Sequence, residues 1–292
     1  EYSLFADEAI KTITSYNLTE NQYDGFTIRW IPIFNTKDIP LYTQYAKDGI
    51  IVVSHYQLVD EEGNPLPMIK LKSYEDVRRA WCLLGKYMKQ ICEIPTISVT
   101  ASIGKTTTVL FMESLFSQNN SVFVSGRNRN NSEPIVQQML QTYGPDYDYH
   151  IQEVGGGAPR VVERSAHFLD SDAFCVGNIM PHHLDRYKTI EAIAHDKLSF
   201  DRLGEKNKFA VINIDDDILR NYNFNSRVVT CGITHKEADY VAENVRQDGI
   251  WLRMDISYKG KSVPIQINIP GEHNAYNAVL AFAMAKEWGL SD

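Results

Sequence analysis

Gly104, Lys105 and Thr106 are the residues whose types and spacing most directly suggest chemistry. They close a β-branched run over 96–100 and are followed by Thr107 and Thr108. A buried strand that breaks at a glycine and opens a helix leaves unpaired backbone N–H groups converging on one point, which favours an anion there. A lysine at that point reaches the outer phosphates of a nucleotide, and Thr106 can place its hydroxyl on a magnesium ion. Ser102, Gly104, Lys105, Thr106 and Thr107 are therefore the candidate phosphate-binding residues. The complete phosphate-loop pattern carries a glycine where Val99 stands, so an ordinary helix start is the competing reading.

Other residues could complete such a site. Glu153 ends an apolar run and precedes Gly155, Gly156 and Gly157. A carboxylate at the C-terminal edge of a strand lies where α/β sheets bind ligands, and magnesium takes such an oxygen. A solvated carboxylate beside a flexible loop is the alternative. Lys197 falls seven residues after Ile190 and four after Ile193, inside the apolar arc of a helix that starts near Thr189. A lysine there must snorkel, find a partner or be modified, because a bare buried ammonium is costly. His182 and His183 precede Leu184 and Asp185; by themselves they read as loop surface. Asn274 and Asn277 follow Gly271 and His273. Their amides donate and accept, which suits an adenine edge, and Asn274 can also cap a helix.

Four segments, 96–108, 149–154, 177–197 and 270–277, occur in an order that resembles the central ATPase domain of the Mur ligase family, over roughly residues 94–290. The resemblance implies an ATP-dependent, ADP-forming amide ligase of peptidoglycan precursor synthesis, located in the cytoplasm. ATP would phosphorylate a carboxylate of a UDP-N-acetylmuramoyl peptide, and an amino acid or dipeptide would attack the acyl phosphate. By the same resemblance Thr106 and Glu153 hold one Mg2+, while His183 and a carbamylated Lys197 hold a second. Carbamylation would remove the lysine's charge and supply oxygen ligands. Lys105 would hold phosphates, Asn274 and Asn277 would lie near the base, and Asp215 and Asp216 resemble a strand end that shapes the nucleotide pocket. Two departures stand out. The turn after Glu153 is all glycine where the family is serine-rich, and Ala101 replaces a loop glycine. A methyl there crowds the loop if the position needs a positive φ. That departure, together with the expected lack of the family's third domain, raises a nucleotide-binding protein without catalysis as the alternative, and folate- and cyanophycin-type ligases share the central domain.

The rest of the chain must position these residues. Its 292 residues, 43% hydrophobic and 23% charged, can fill two globular domains. A formal charge of −8 argues against nucleic acid and membrane surfaces as partners. No run reaches the length of a membrane span, and no signal-peptide pattern opens the chain. Cys82, Cys92, Cys175 and Cys231 form no Cys-x-x-Cys pair and read as reduced thiols.

Residues 50–54 and 68–71 read as short strands, and Ser73 caps a helix over 74–91 with Val77, Ala80, Trp81, Leu84 and Met88 on one face. Apolar runs at 121–125, 149–154, 173–176, 209–213 and 227–231 alternate with helical patterns. They predict an α/β fold, a mostly parallel phosphate-loop sheet flanked by helices. Residues 239–269, punctuated by Asp248-Gly249 and Lys259-Gly260, predict antiparallel hairpins, and a helix over 274–288 closes the sequence. The expected domains are 1–93 and 94–292. The first is a smaller α/β domain whose layout, through Gly25, Thr36, Tyr45 and Gly49, is similar to the family's uridine-nucleotide-binding domain. The family's third domain follows directly after the position of Gly289-Leu290 and is expected to be missing from this chain. Oligomeric state is not legible.

Overall fold

A computed structural model describes residues 40, 43, 44, 52–66, 68–124, 130–142, 146–206 and 208–290. The chain forms two compact units, Glu1–Gly85 and Lys86–Asp292, and the division falls inside helix α1 (Tyr74–Cys92). Gly25, Thr36, Tyr45, Gly49, Ile50 and Ile51 lie outside the described residues.

In the first unit β1 (Val52–Ser54) and β2 (Met68–Lys70) pair in parallel, with Val52 opposite Met68. Asp60 shapes the connection by accepting the N–H groups of Glu62 and Asn64. Ser73 caps α1 as expected, its hydroxyl accepting the Asp76 N–H at 3.2 Å. Val77, Ala80, Trp81 and Leu84 are buried along the helix.

The second unit alternates strands and helices: β3 (Thr96–Thr100), α2 (Lys105–Phe116), β4 (Val122–Val124), α3 (Ser132–Thr142), β5 (Tyr149–Glu153), α4 (Val161–Leu169) and β6 (Ala173–Val176). Three short helices follow, α5 (Leu184–Tyr187), α6 (Ile190–Lys197) and α7 (Ser199–Leu203), then β7 (Phe209–Asn213), α8 (Asp217–Asn221) and β8 (Val228–Gly232). Strands β9 (Tyr240–Asp248), β10 (Trp251–Tyr258) and β11 (Lys261–Ile267) precede the closing helix α9 (Asn274–Glu287). All the strands of this unit join one sheet in the order β11-β10-β9-β8-β7-β6-β3-β5-β4. Pairing is parallel from β4 to β9 and antiparallel from β9 to β11. The expected hairpins are there, but they extend the main sheet, because β9 also pairs in parallel with β8.

Strand β3 is buried along its whole length, which matches its unbroken β-branched and small-residue run. Helices α2 and α9 cover one face. Ile97, Val99, Ile151, Cys175 and Val211 of the strands meet Val109, Met112 and Phe116 of α2 and the alanine-rich α9 in one core. On the other face Phe174 of β6 stacks on Phe200 of α7, with ring centroids 6.0 Å apart. Interior strand β3, between β6 and β5, therefore carries its C-terminal end, and the loop after it, to the edge formed by the C-terminal ends of the parallel strands, where α/β sheets bind ligands.

Candidate phosphate and metal site

The loop after β3 ends at Gly104, which takes φ 83° and lets the chain turn into α2. A β-carbon at Gly104 would overlap the Asn277 side-chain oxygen, so glycine is required there both for conformation and for space. Helix α2 begins with no side-chain cap and no acidic residue in its first turn. Its leading N–H groups and dipole are left to an anion. Thr107 stands in that first turn.

Neighbouring segments brace the loop. The Asn178 amide accepts the Ile103 N–H and donates to the Ile103 carbonyl, both at 3.0 Å, while the Ser102 N–H donates to the Asn178 carbonyl. The Ser102 hydroxyl donates to the Met180 carbonyl and accepts the Met180 N–H. Ala101 does not adopt a positive φ, and its methyl packs where Gly177 has no side chain. The crowding expected from Ala101 is thereby relieved.

Two lysines meet at this loop. Lys105 Nζ donates to the Ala101 carbonyl at 2.9 Å, and Lys197 Nζ donates to the same oxygen at 2.8 Å. Lys197 is 3% exposed, so its head does not snorkel to water. Burial and the neighbouring Lys105 push it down to about 7. Burial likewise lowers Lys105, against the opposing pull of Glu153. Thr189 caps α6, accepting the Ala192 N–H at 3.2 Å, and sets the helix that presents Lys197.

Glu153 ends β5 and is buried beside α2. Its carboxylate accepts the Thr106 hydroxyl at 2.8 Å and the Asn130 Nδ2 at 2.6 Å. The glycines after it are places of close approach. A β-carbon on Gly155 would overlap the Asn130 side chain, and one on Gly156 would stand 2.9 Å from Lys197 Nζ. His183, with φ 54°, precedes α5 and is exposed; its ring lies 4.1 Å from that of His182. Slight burial, His182 and Arg186 hold its imidazole below the usual value. Ser102, Lys105, Gly156, His182, His183, Ile193 and Lys197 line one cleft.

Asn274 and Asn277 stand together at the start of α9. Asn277 accepts the Thr108 hydroxyl at 3.2 Å and donates to Asn274, which donates to the Pro270 carbonyl. Both amides are buried and partnered within the fold, linking α9 to the phosphate loop. Asp215 accepts the N–H groups of Ile233, Thr234 and His235, the His235 ring and the Tyr276 hydroxyl. Burial pushes its carboxyl up, but the amides of Thr234, Ile233 and His235 hold it well below the usual range. Asp216 caps α8 and accepts the Ile179 N–H at 2.7 Å. Sequence reasoning missed Asn130, Asn178 and Tyr187, whose hydroxyl reaches Asp196 at 2.6 Å. Asn130 sits in a polar stretch before α3, with no periodicity to single it out.

The oxygens of Thr106 and Glu153 suit a hard divalent cation. His183 and Lys197 open on one cleft, but an amine is no magnesium ligand; that pair suits the ion only if Lys197 bears a carboxylate-like group. Among the described residues no three His, Cys, Asp or Glu side chains group as a metal cluster.

A mostly parallel sheet whose buried interior strand β3 leads through Gly104 into an uncapped helix defines a phosphate-loop α/β architecture. The description "Mur ligase middle domain" matches residues 99–285, and the chain belongs to the Mur ligase family. It is 28% identical over 251 residues to UDP-N-acetylmuramoyl-L-alanyl-D-glutamate--2,6-diaminopimelate ligase 1 of Clostridium acetobutylicum, covering 77% of this chain and 50% of that protein. It is 22% identical over 261 residues to UDP-N-acetylmuramoyl-tripeptide--D-alanyl-D-alanine ligase of Escherichia coli, covering 88% and 56%. The fold is similar to that of MurF ligase from Thermotoga maritima in complex with ADP, with TM-score 0.76, 15% identity, and coverage of 94% of this chain and 62% of that one. The chain thus spans about half the length of the curated relatives it matches. Among the described residues no helix is long and apolar enough to cross a membrane.

Proposed function

We propose that the protein is an ATP-dependent, ADP-forming amide ligase acting on a UDP-N-acetylmuramoyl peptide in the cytoplasm. A substrate carboxylate takes the γ-phosphoryl group of ATP, and the amine of an amino acid or dipeptide then displaces phosphate to form the amide. The observation that carries this reading is the convergence of Lys105, Thr106, Glu153 and Lys197 on one uncapped helix start. Phosphoryl transfer needs positioning and charge neutralisation more than covalent protein chemistry, and this arrangement offers both.

Lys105 leaves the Ala101 carbonyl for the nucleotide's outer phosphates, and the first amides of α2 face the same oxygens. Thr106 and Glu153 would hold one Mg2+, and His183 and Lys197, once carbamylated, would hold another. Magnesium when bound neutralises charge on the phosphates. Asn277 packs against Gly104 of the phosphate loop, and by the family resemblance Asn274 and Asn277 would lie near the base. The related ligases are named for UDP-N-acetylmuramoyl nucleotides, and the proposed substrate class follows them. The room that Gly177 leaves for Ala101 weakens one of the two motives for a non-catalytic nucleotide binder.

The test is ADP release by the full-length protein, with and without a UDP-N-acetylmuramoyl peptide and candidate amines. Release that needs Mg2+, the carboxylate and an amine is expected. Release indifferent to the muramoyl nucleotide refutes the substrate class, and absence of ATP binding refutes the reading altogether.

A further inference from the structure

Two buried side chains beside the site have no part in the scheme above. Asp196 is 3% exposed and Tyr187 4%. One Asp196 oxygen accepts the Glu163 N–H at 3.0 Å and the other accepts the Tyr187 hydroxyl at 2.6 Å. Glu163 lies in the first turn of α4, whose preceding residue Arg160 sits at φ 65° and offers no side-chain cap. Asp196 supplies that cap from a different helix.

Tyr187 and its neighbour Arg186 also border the glycine turn. The Tyr187 hydroxyl also meets the Ala158 carbonyl at 2.6 Å, and Arg186 Nη1 donates to the Gly157 carbonyl at 2.8 Å. The Gly155 N–H donates to the Asn130 carbonyl at 2.7 Å, so the turn is tied at both ends and is not the flexible loop its composition suggests. Gly156 is held so close that a β-carbon on it would stand 2.9 Å from Lys197 Nζ and 3.6 Å from the Tyr187 hydroxyl. Asp196 and Lys197 are consecutive residues, about 100° apart around α6. Clamping both oxygens of Asp196 therefore fixes the rotation of the helix end, and with it the direction in which Lys197 departs.

We propose that Tyr187 and Asp196 are positioning residues that lock Lys197 and the turn after Glu153 at a fixed separation. The inference rests on the reading of Glu153 and Lys197 as the metal-side groups of the site. A brace that served stability alone would change unfolding and leave the balance between kcat and KM untouched. A positioning brace acts on the reacting geometry and spares the phosphate-loop contacts that bind ATP.

The experiment is a comparison of Tyr187→Phe with the wild type in the full-length protein, reading kcat, KM for ATP, magnesium dependence and thermal unfolding. Phenylalanine keeps the ring and removes only the hydroxyl. The expected result is a kcat lower by about 10- to 100-fold with KM for ATP within about twofold and an unfolding temperature close to wild type. Asp196→Asn is expected to behave in the same way, and Tyr187→Phe decides alone if that variant does not fold. An unchanged kcat in Tyr187→Phe overturns the brace. So does a fall in kcat matched by an equal loss of ATP affinity and a lower unfolding temperature. A wild-type protein without magnesium-dependent turnover overturns the reading of the site and the brace together, whereas wild-type turnover that Tyr187→Phe leaves intact overturns the brace alone.

Discussion

Lys105 and Lys197 share one acceptor, the Ala101 carbonyl, and among the described residues neither ammonium has a carboxylate within hydrogen-bond reach in that arrangement. Among the described residues Lys105 bonds the loop carbonyls of Ala101 and Ser102, so its removal takes little from the core. Lys105→Ala is expected to fold normally and to lose ATP binding, because phosphate neutralisation goes with the charge. Calorimetric affinity equal to wild type would contradict the assignment. Lys197 tests differently. Carbamylation predicts a carbamate signal in 13C spectra after labelling with bicarbonate, absent in Lys197→Ala. It also predicts that short carboxylic acids partly restore activity to Lys197→Ala but not to Lys197→Arg, whose guanidinium keeps charge and volume. A labelled wild-type protein without that signal argues for an unmodified amine.

His150 offers a pH test away from the chemistry. It is fully buried, donates or accepts between Thr96 and Gln152, and burial and Lys89 push its imidazole down to about 3. An unfolded chain binds a proton there near the ordinary value of about 6.5, while the folded chain stays neutral. Stability therefore falls as pH drops from about 6.5 towards 3, since the unfolded state binds more protons in that window. Following unfolding against pH in the wild type and in His150→Gln checks this; the variant should lack that part of the slope. Residues of this kind mark the limit of the sequence. Lys197 was legible because helical spacing alone placed it in an apolar arc. Asn130 reaches Glu153 across 23 residues of chain, and Tyr187 finds Asp196 only once α5 and α6 are folded, so no local pattern announces either.

At the scale of elements, the alternation of apolar runs with helical patterns carried the sheet, because buried parallel strands have nowhere to place polar side chains. The place of β9 was hidden for a related reason. Its first residues, Tyr240, Val241 and Ala242, are buried beside β8, while the rest of the strand turns outward with exposed positions. Periodicity sees the second half and reads antiparallel hairpins, with nothing to mark the pairing of β9 with β8. The packing of α2 on the sheet gives a direct test. Phe116 is fully buried in the shared core, and Phe116→Ala should cost about 3–5 kcal/mol, read from denaturant unfolding. At the other end of α2, Gly104→Ala meets both a φ of 83° and the Asn277 oxygen. It should weaken nucleotide binding more than it weakens the fold, because the strain lies in the loop.

For the whole molecule, the described part of the second unit is a phosphate-loop domain of the Mur ligase family, and the chain spans about half the length of its curated relatives. The central claim is that the intact protein activates a carboxylate as its acyl phosphate before an amine attacks. Oxygen transfer tests that claim most directly. A UDP-N-acetylmuramoyl peptide labelled with 18O in its terminal carboxylate is turned over with ATP, Mg2+ and an amine acceptor, and the phosphate released is analysed by mass. Acyl-phosphate chemistry sends one labelled oxygen from the carboxylate into phosphate for each amide formed. Amide formation accompanied by unlabelled phosphate would contradict the account.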